Sequence, residues 1–246
     1  MKVELIAATY PKSTYSAWGA LFYTLEGGEG HTYGHVGLRF SELTDADKAH
    51  IKTIGDTVAF DMLNIRRPMF VTWGSKAVLE AWTMRTCLYT YKLRLDKEET
   101  RLAFEHAKWF VDNGYPYSNI SYLNACCPGV CNLGCFACGG ACTTCQCIGI
   151  QSGHCVSLIY MVLANARVRR NVGNPIVHLE DAHAALPLTH PRLVGALGCY
   201  GCCDVPPAAF SPLDLIKSLQ EANITEGIEY ERTDCTAVVP LLLIRL

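Results

Sequence analysis

Cys155 stands directly before a run of apolar residues in the stretch QSGHCVSLIYMVLANA, residues 151–166. A cysteine attacks carbonyl carbons as the thiolate, so its ordinary pKa of about 8.5 has to fall for it to act near neutral pH. The N-terminus of a helix favours the thiolate because its backbone N–H groups carry partial positive charge. The same N–H groups can stabilise the oxyanion of an acyl-transfer intermediate. The sequence therefore makes Cys155 a candidate nucleophile.

A cysteine nucleophile needs an imidazole to take and return a proton, and a third polar group to orient that imidazole. We predict that His35 is the base: it begins a predicted strand, and the neighbouring Gly34 and Gly37 leave its surroundings open, as at a substrate-facing edge. Glu80 is the best candidate for the orienting group. It is a lone carboxylate in an apolar strand, where a charge is costly without a partner. Asp61 is the alternative to Glu80.

Each of these residues also has an ordinary structural interpretation. A cysteine at the start of an apolar helix is most often a core residue, because cysteine thiols are among the most buried side chains. A histidine in a strand is more often structural than catalytic, and a lone glutamate on a strand usually faces water. From the residues and their spacing alone, the three together make only a weak case for catalysis.

Composition limits the class of protein. The chain has 246 residues, half of them apolar, and a formal net charge of −2. It is long enough to bury a core and too apolar for a disordered chain, and it lacks the basic surplus of a nucleic-acid binder. Its apolar runs are shorter than the roughly 20 residues of a spanning helix, and its N-terminus is typical of a strand rather than a signal peptide. We therefore expect a cytoplasmic protein without nucleic-acid partners.

Hydrophobic patterns predict the elements that position the three candidate residues. Predicted strands cover residues 3–9, 18–24, 35–40, 76–82, 86–95 and 237–246, and predicted helices cover 44–54, 96–114, 155–166 and 211–222. Residues 58–76 fit no regular element, and residues 171–207 are predicted to form a long irregular connection. This order predicts an α+β domain with an antiparallel sheet.

The order of the motifs resembles the circularly permuted branch of the NlpC-type cysteine peptidases, which are related to papain and to the lecithin–retinol acyltransferases. The resemblance lies in GHVGLRF at 34–40, VLEAW at 78–82, GHCVSLIYMVL at 153–163 and FSPLDLIKSL at 210–219. It implies His35 as base, Glu80 as orienting group and Cys155 as nucleophile. It also implies a permuted papain-like fold, an antiparallel half-barrel packed against the cysteine-bearing helix. The sequence departs from the family at Val156, where serine or threonine is usual, and in the long separation of His35 from Glu80.

The resemblance implies acyl transfer through a thioester, but the family includes peptidoglycan amidases, other amidases and lipid acyltransferases. We predict that residues 1–246 form a single hydrolase domain, a peptidase or amidase acting on peptide or amide substrates without a catalytic cofactor. A lipid acyltransferase or thioesterase that uses the same site is one alternative. A catalytically inactive, metal-stabilised structural protein is the other.

The chain contains 14 cysteines, and eight of them lie in a cysteine-rich insertion, residues 124–150, just before the candidate nucleophile. Cys135 and Cys138 form one C-x2-C pair, and a distant pair is formed by Cys199 and Cys202. The two pairs together are the candidate ligands of a structural zinc ion held by four thiolates. Disulfides are less expected in a reducing compartment. S-acylation of the insertion, with peripheral membrane contact, is a third alternative.

Overall fold

The computed structural model describes residues 1–9, 33–51, 57–61, 72–74, 87–115, 155–188 and 212–230. These residues contain strands β1 (Lys2–Thr9), β2 (Tyr33–Ser41), β3 (Val58–Asp61), β4 (Thr72–Gly74), β5 (Cys87–Leu93) and β6 (Thr225–Tyr230). They also contain helices α1 (Asp45–Ile51), α2 (Lys97–Asp112), α3 (Cys155–Arg167), α4 (Leu179–Ala185) and α5 (Pro212–Glu221). The strands predicted at 18–24, 76–82 and 237–246 lie outside the described residues.

The described strands form one sheet in the order β4-β3-β2-β1-β5-β6. Every neighbouring pair is antiparallel. The predicted α+β class with an antiparallel sheet is therefore confirmed. β3 and β4 fall within residues 58–76, for which the sequence predicted no regular element. With four and three residues, they are too short to show an alternating pattern.

Alternation along the strands collects apolar side chains on one face of the sheet. In the sheet register, Leu38 of β2 lies between Leu5 of β1 and Phe60 of β3. All three side chains belong to the buried core. The pleat places every second residue on the same face, so Val36 and Phe40 extend this apolar surface along β2. Both α3 and α5 contact β2, which makes β2 the strand on which the helical layer rests.

Helix α2 begins and ends as its sequence predicts. Glu99 N–H donates to Asp96 Oδ1 at 2.8 Å, and Asp96 N–H donates to Glu99 Oε2 at 2.9 Å, which is a complete capping box. The Glu99 N–H, together with Arg169, holds the pKa of Asp96 below its ordinary value. Gly114 ends the helix with a φ of 59°. Phe104 turns towards the sheet, with ring centroids 5.4 Å from Phe40 and 5.6 Å from Trp73.

Helix α3 is the centre of the helical layer. Every residue from Val156 to Ala166 is buried, and α3 contacts α2, α4, α5 and β2. A helix that is apolar on all sides has to be enclosed by other elements, and the apolar run that predicted α3 has that character. The predicted helix at 155–166 is confirmed.

The prediction of an irregular connection at 171–207 is wrong for Leu179–Ala185, which form helix α4. A helix of seven residues is too short to be stable alone and depends on tertiary packing. Its contacts with α3 supply that packing. The sequence pattern of α4, with three polar residues in seven, gives no clear apolar stripe.

Candidate functional site

The structure places Cys155 at the first residue of α3, as the sequence predicts. Cys155 carries a thiol and is partly exposed, while the residues that follow it are buried. Cys155 therefore stands at the end of the helix where the partial positive charge of the backbone N–H groups favours a thiolate. A buried structural cysteine would be enclosed like Val156 and Ser157, which are each 1% exposed.

The backbone of His35 lies in β2 and pairs with Ala8 of β1. One residue further along β1 the register shifts, because Thr9 pairs with Tyr33 instead of Gly34. Such an irregularity bends a strand and redirects side chains, and it is common beside active sites. Because α3 contacts β2, the helix that begins at Cys155 packs on the strand that includes His35. The side chain of His35 lies outside the described part of the structure.

The predicted role of Gly37 is wrong. Gly37 is buried in an internal strand and does not open the surroundings of His35 at a sheet edge. A β-carbon at Gly37 would lie 3.3 Å from Ile6 Cγ1 and 3.3 Å from the Phe60 carbonyl oxygen. Both contacts are tighter than ordinary van der Waals separations, so a side chain here would require Ile6 and β3 to shift by a few tenths of an ångström.

The two candidates for the orienting group are placed differently. Glu80 lies outside the described residues. Asp61 is the last residue of β3, where it pairs with Thr72 of β4, and β3 pairs with β2. The backbone of Asp61 therefore lies on the strand next to that of His35, while the side chain of Asp61 is not among those described. Asp61 and Glu80 both remain candidates.

Tyr160 fixes α4 to α3 through one buried hydroxyl. The Tyr160 hydroxyl donates to the Leu186 carbonyl and accepts from the Leu188 N–H at 3.3 Å. His183 Nδ1 lies 3.0 Å from the same oxygen, and it must be the donor because the hydroxyl proton is already used. Burial raises the pKa of Tyr160 to about 12, so the hydroxyl stays protonated at neutral pH.

Asn165 fixes the chain that follows α3. Its side-chain amide donates to the Ile176 carbonyl at 2.9 Å, and its Oδ1 accepts from the Ile176 N–H at 2.7 Å. The amide also donates to the Met161 carbonyl at 2.8 Å. Asn165 is completely buried, and these bonds satisfy its polar atoms. The chain from 168 to 178 has no regular structure. The buried Asn165 side chain nevertheless holds this segment against α3 through Ile176.

Ion pairs join the C-terminal end of α3 to the N-terminal end of α2. Arg167 Nη1 lies 2.9 Å from Glu99 Oε1. Arg169 pairs with Asp96 at 3.0 Å and with Glu98 at 2.8 Å. These charged contacts lie at the end of α3 that is farthest from Cys155.

Sequence reasoning missed Tyr160 and Asn165 as positioning residues. Both stand inside the apolar run that predicted α3. Because buried polar groups are almost always hydrogen-bonded, a polar residue inside an enclosed helix is itself a signal of a specific tertiary contact. That signal indicates that a partner exists but not which part of the chain provides it.

The four predicted zinc ligands Cys135, Cys138, Cys199 and Cys202 lie outside the described residues. Within the described ranges, no group of three or more His, Cys, Asp or Glu side chains is placed to hold a metal ion. In the part of the chain that the structure describes, no helix is both long and apolar enough to cross a membrane.

Comparison with protein-family models, with curated proteins and with solved structures found no match to this chain. Its function is therefore argued from its own residues.

Proposed function

We propose that the chain is a papain-like thiol hydrolase, a peptidase or amidase, with Cys155 as nucleophile, His35 as base and Glu80 as orienting group. One observation carries the proposal. Cys155 is the partly exposed first residue of a helix that is buried from Val156 to Ala166, and that helix packs on the strand that includes His35. A thiol at that point has both of the supports that cysteine catalysis needs, a helix N-terminus and a nearby strand that can present an imidazole.

The reaction follows from these groups. The Cys155 thiolate bonds to the carbonyl carbon of an amide, and the carbonyl electron pair moves to oxygen, where backbone N–H groups can stabilise it. His35, as imidazolium, gives its proton to the leaving nitrogen when the C–N bond breaks, which leaves a thioester. Neutral His35 then takes a proton from water as the water oxygen attacks the thioester. The carboxylic acid leaves, and the thiolate and imidazolium are restored.

The fold supports this proposal in its order of elements. His35 precedes Cys155 in the chain, as in the permuted branch of the papain-like enzymes. The antiparallel sheet packed against a central cysteine-bearing helix is compatible with a permuted papain-like half-barrel. His35 pairs with Ala8 of β1, so this histidine is carried by a strand of the sheet rather than by a free loop.

The test is the pH dependence of Cys155 alkylation, followed by peptide mass spectrometry so that the other 13 cysteines are counted separately. We expect Cys155 in the wild type to react well below pH ~8, as a thiolate paired with an imidazolium does. In His35→Ala its reactive pH should rise to that of an ordinary thiol. His178→Ala, which removes a histidine at the N-terminus of α4, is the matched control and should behave like the wild type.

A Cys155 thiol that reacts like the other cysteines, indifferent to His35, would show that the fold lacks the chemistry and would overturn the proposal. If the ion pair is present, peptide amides and detergent-dispersed lipid esters should be compared as substrates. Turnover of lipid esters alone would assign the site to an acyltransferase or thioesterase.

We further propose that Cys135, Cys138, Cys199 and Cys202 hold a structural zinc ion. Their spacing as two C-x2-C pairs is the main support. The described residues that are nearest in sequence to the two pairs also support the site, because both lie on or against α3. One stretch leads into Cys155, and the other follows Leu188, whose N–H donates to Tyr160. Tyr160 is five residues from Cys155, or about 7.5 Å along the helix axis.

Metal analysis of the reduced 246-residue chain tests this second proposal. We expect about one zinc ion per chain, because four thiolates complete a tetrahedral site. Cys138→Ser should lose the metal. Cys87→Ser, which changes a cysteine at the start of β5, should retain it. Equal zinc contents in the two variants, or zinc-free wild type, would contradict the assignment.

A further inference from the structure

His106 is a completely buried histidine in the middle of α2. Its Nε2 lies 3.0 Å from the carbonyl oxygen of Arg170, in the turn that follows α3. Its Nδ1 has no hydrogen-bond partner in the described structure. A carbonyl oxygen only accepts, so the bond requires a proton on Nε2, and the neutral ring then leaves Nδ1 as an unprotonated acceptor.

The charged groups around His106 are already engaged with one another. On α2 and in the turn after α3 they form the pairs Glu99–Arg167, Asp96–Arg169, Glu98–Arg169, Glu105–Arg101 and Lys108–Asp112. Arg170 Nε donates to the Asn174 carbonyl at 2.8 Å. The other titratable groups of α3 are Cys155 at its far end and Tyr160, whose hydroxyl is bonded to α4. The carboxylates of α2 are all engaged in these pairs, and within the described residues none accepts a hydrogen bond from His106 Nδ1.

Protonation would therefore place a charge where it can make only one hydrogen bond. Both ring nitrogens of an imidazolium are donors, and the Arg170 carbonyl can serve only the first. The second N–H would be buried without an acceptor, which is unfavourable in a protein interior. Consistent with this geometry, burial lowers the pKa of His106, and the Arg170 carbonyl opposes that shift only in part.

We infer that His106 is a pH-sensitive contact between α2 and the turn after α3. In its neutral form it holds Arg170 against α2, and on protonation it weakens the packing of the two helices. The sign follows from linkage: a histidine that titrates lower in the folded protein than in the unfolded chain adds stability above about pH 6.5, the unfolded value. That stability is lost as the pH falls below this value.

Urea unfolding of the full-length protein between pH 8 and pH 5 tests the inference. His106→Gln retains an amide donor for the Arg170 carbonyl and does not titrate. His178→Gln removes a partly buried histidine that makes no side-chain cap bond at the N-terminus of the helix Leu179–Ala185, and it serves as the control with the same number of histidines. Below about pH 6.5, the unfolding constants of the wild type and of the control should increase more steeply with falling pH than the unfolding constant of His106→Gln. The extra increase should be up to about tenfold for each pH unit.

Effects of acid on the cysteines are common to all three proteins and cancel in this comparison. Equal pH dependences in the wild type and His106→Gln would overturn the inference. If His106→Gln does not fold, the His106 imidazole can be titrated by NMR in the wild type. A midpoint below about 6.5 supports the inference, and a midpoint at or above that value contradicts it.

Discussion

The two ends of α3 are built in different ways. At the N-terminal end, Cys155 is partly exposed and is the first residue of the helix. At the C-terminal end, Arg167 and Arg169 are ion-paired to the first turn of α2. Between these ends, Tyr160 and Asn165 bind the chain that follows the helix.

Under the proposed function, the two ends of α3 divide chemistry from stability. A reactive thiolate is stabilised by the backbone N–H groups of a helix N-terminus. A chemical role for that end would leave the fixing of the helix to other residues. Here Asn165 and the Arg167–Glu99 pair supply that fixation, two or more turns away from the thiol. We therefore expect substitutions at the two ends to separate activity from stability.

The largest expected effect on stability comes from Asn165→Leu. Leucine has a similar shape but leaves the N–H and carbonyl of Ile176 without their partners, and each unsatisfied group costs about 1–3 kcal/mol. We expect the free energy of unfolding, measured in urea, to fall by about 2–4 kcal/mol. Cys155→Ala is the control in the same helix. It should abolish turnover, yet lower the free energy of unfolding by less than about 1 kcal/mol, because the thiol is partly exposed.

A loss of similar size in Asn165→Leu and Cys155→Ala would break the comparison, because both ends would then carry the fold. A small loss in Asn165→Leu alone would show that the chain after α3 is held mainly by other contacts, such as the bond from the Tyr115 hydroxyl to the Val177 carbonyl.

The sequence was informative wherever a structure depends on neighbouring residues. The capping box of Asp96 and Glu99 involves residues three apart, so it could be predicted from spacing alone, and the structure confirms it. The start of α3 at Cys155 was predictable for the same reason, because an apolar run long enough for a helix follows it.

The sequence was uninformative where a structure depends on distant residues. Helix α4 is stabilised by Tyr160, which lies about 20 residues earlier in the chain. The side chain of His106 meets a carbonyl 64 residues away. In each case the side chain itself gives no indication of its partner. The candidate site has the same character: the order of His35 and Cys155 is visible in the sequence, whereas the choice between Glu80 and Asp61 depends on side-chain geometry.

Gly37 is an instructive error. A glycine two residues from a candidate base suggested open space, but in the structure a β-carbon at Gly37 would lie 3.3 Å from both Ile6 Cγ1 and the Phe60 carbonyl oxygen. The absence of a side chain is compatible with either situation. Only the register of the neighbouring strands distinguishes them.

The smallest effects concern the turns that end α2, α3 and α5. Each turn has the two hydrogen bonds of a Schellman motif, centred on Gly114, Arg169 and Asn223 respectively. These three residues have φ angles of 59°, 52° and 58°. A left-handed conformation costs a residue with a side chain roughly 1 kcal/mol relative to glycine, and asparagine less than most. The three helices therefore end in the same geometry with different residues.

Gly114→Ala and Arg169→Gly exchange these residue types in opposite directions. We expect Gly114→Ala to lower the free energy of unfolding by about 1 kcal/mol at any salt concentration, because the cost is conformational. Arg169→Gly relieves a similar cost but removes the pairs with Asp96 and Glu98, which are exposed and each worth about 0–1 kcal/mol. At low salt the two terms should nearly cancel. In 1 M salt the ion pairs are screened, so Arg169→Gly should become more stable than the wild type by about 1 kcal/mol. Urea unfolding at the two salt concentrations measures the difference, and a destabilisation of Arg169→Gly that persists in high salt would mean that Arg169 holds α3 by contacts other than its charge.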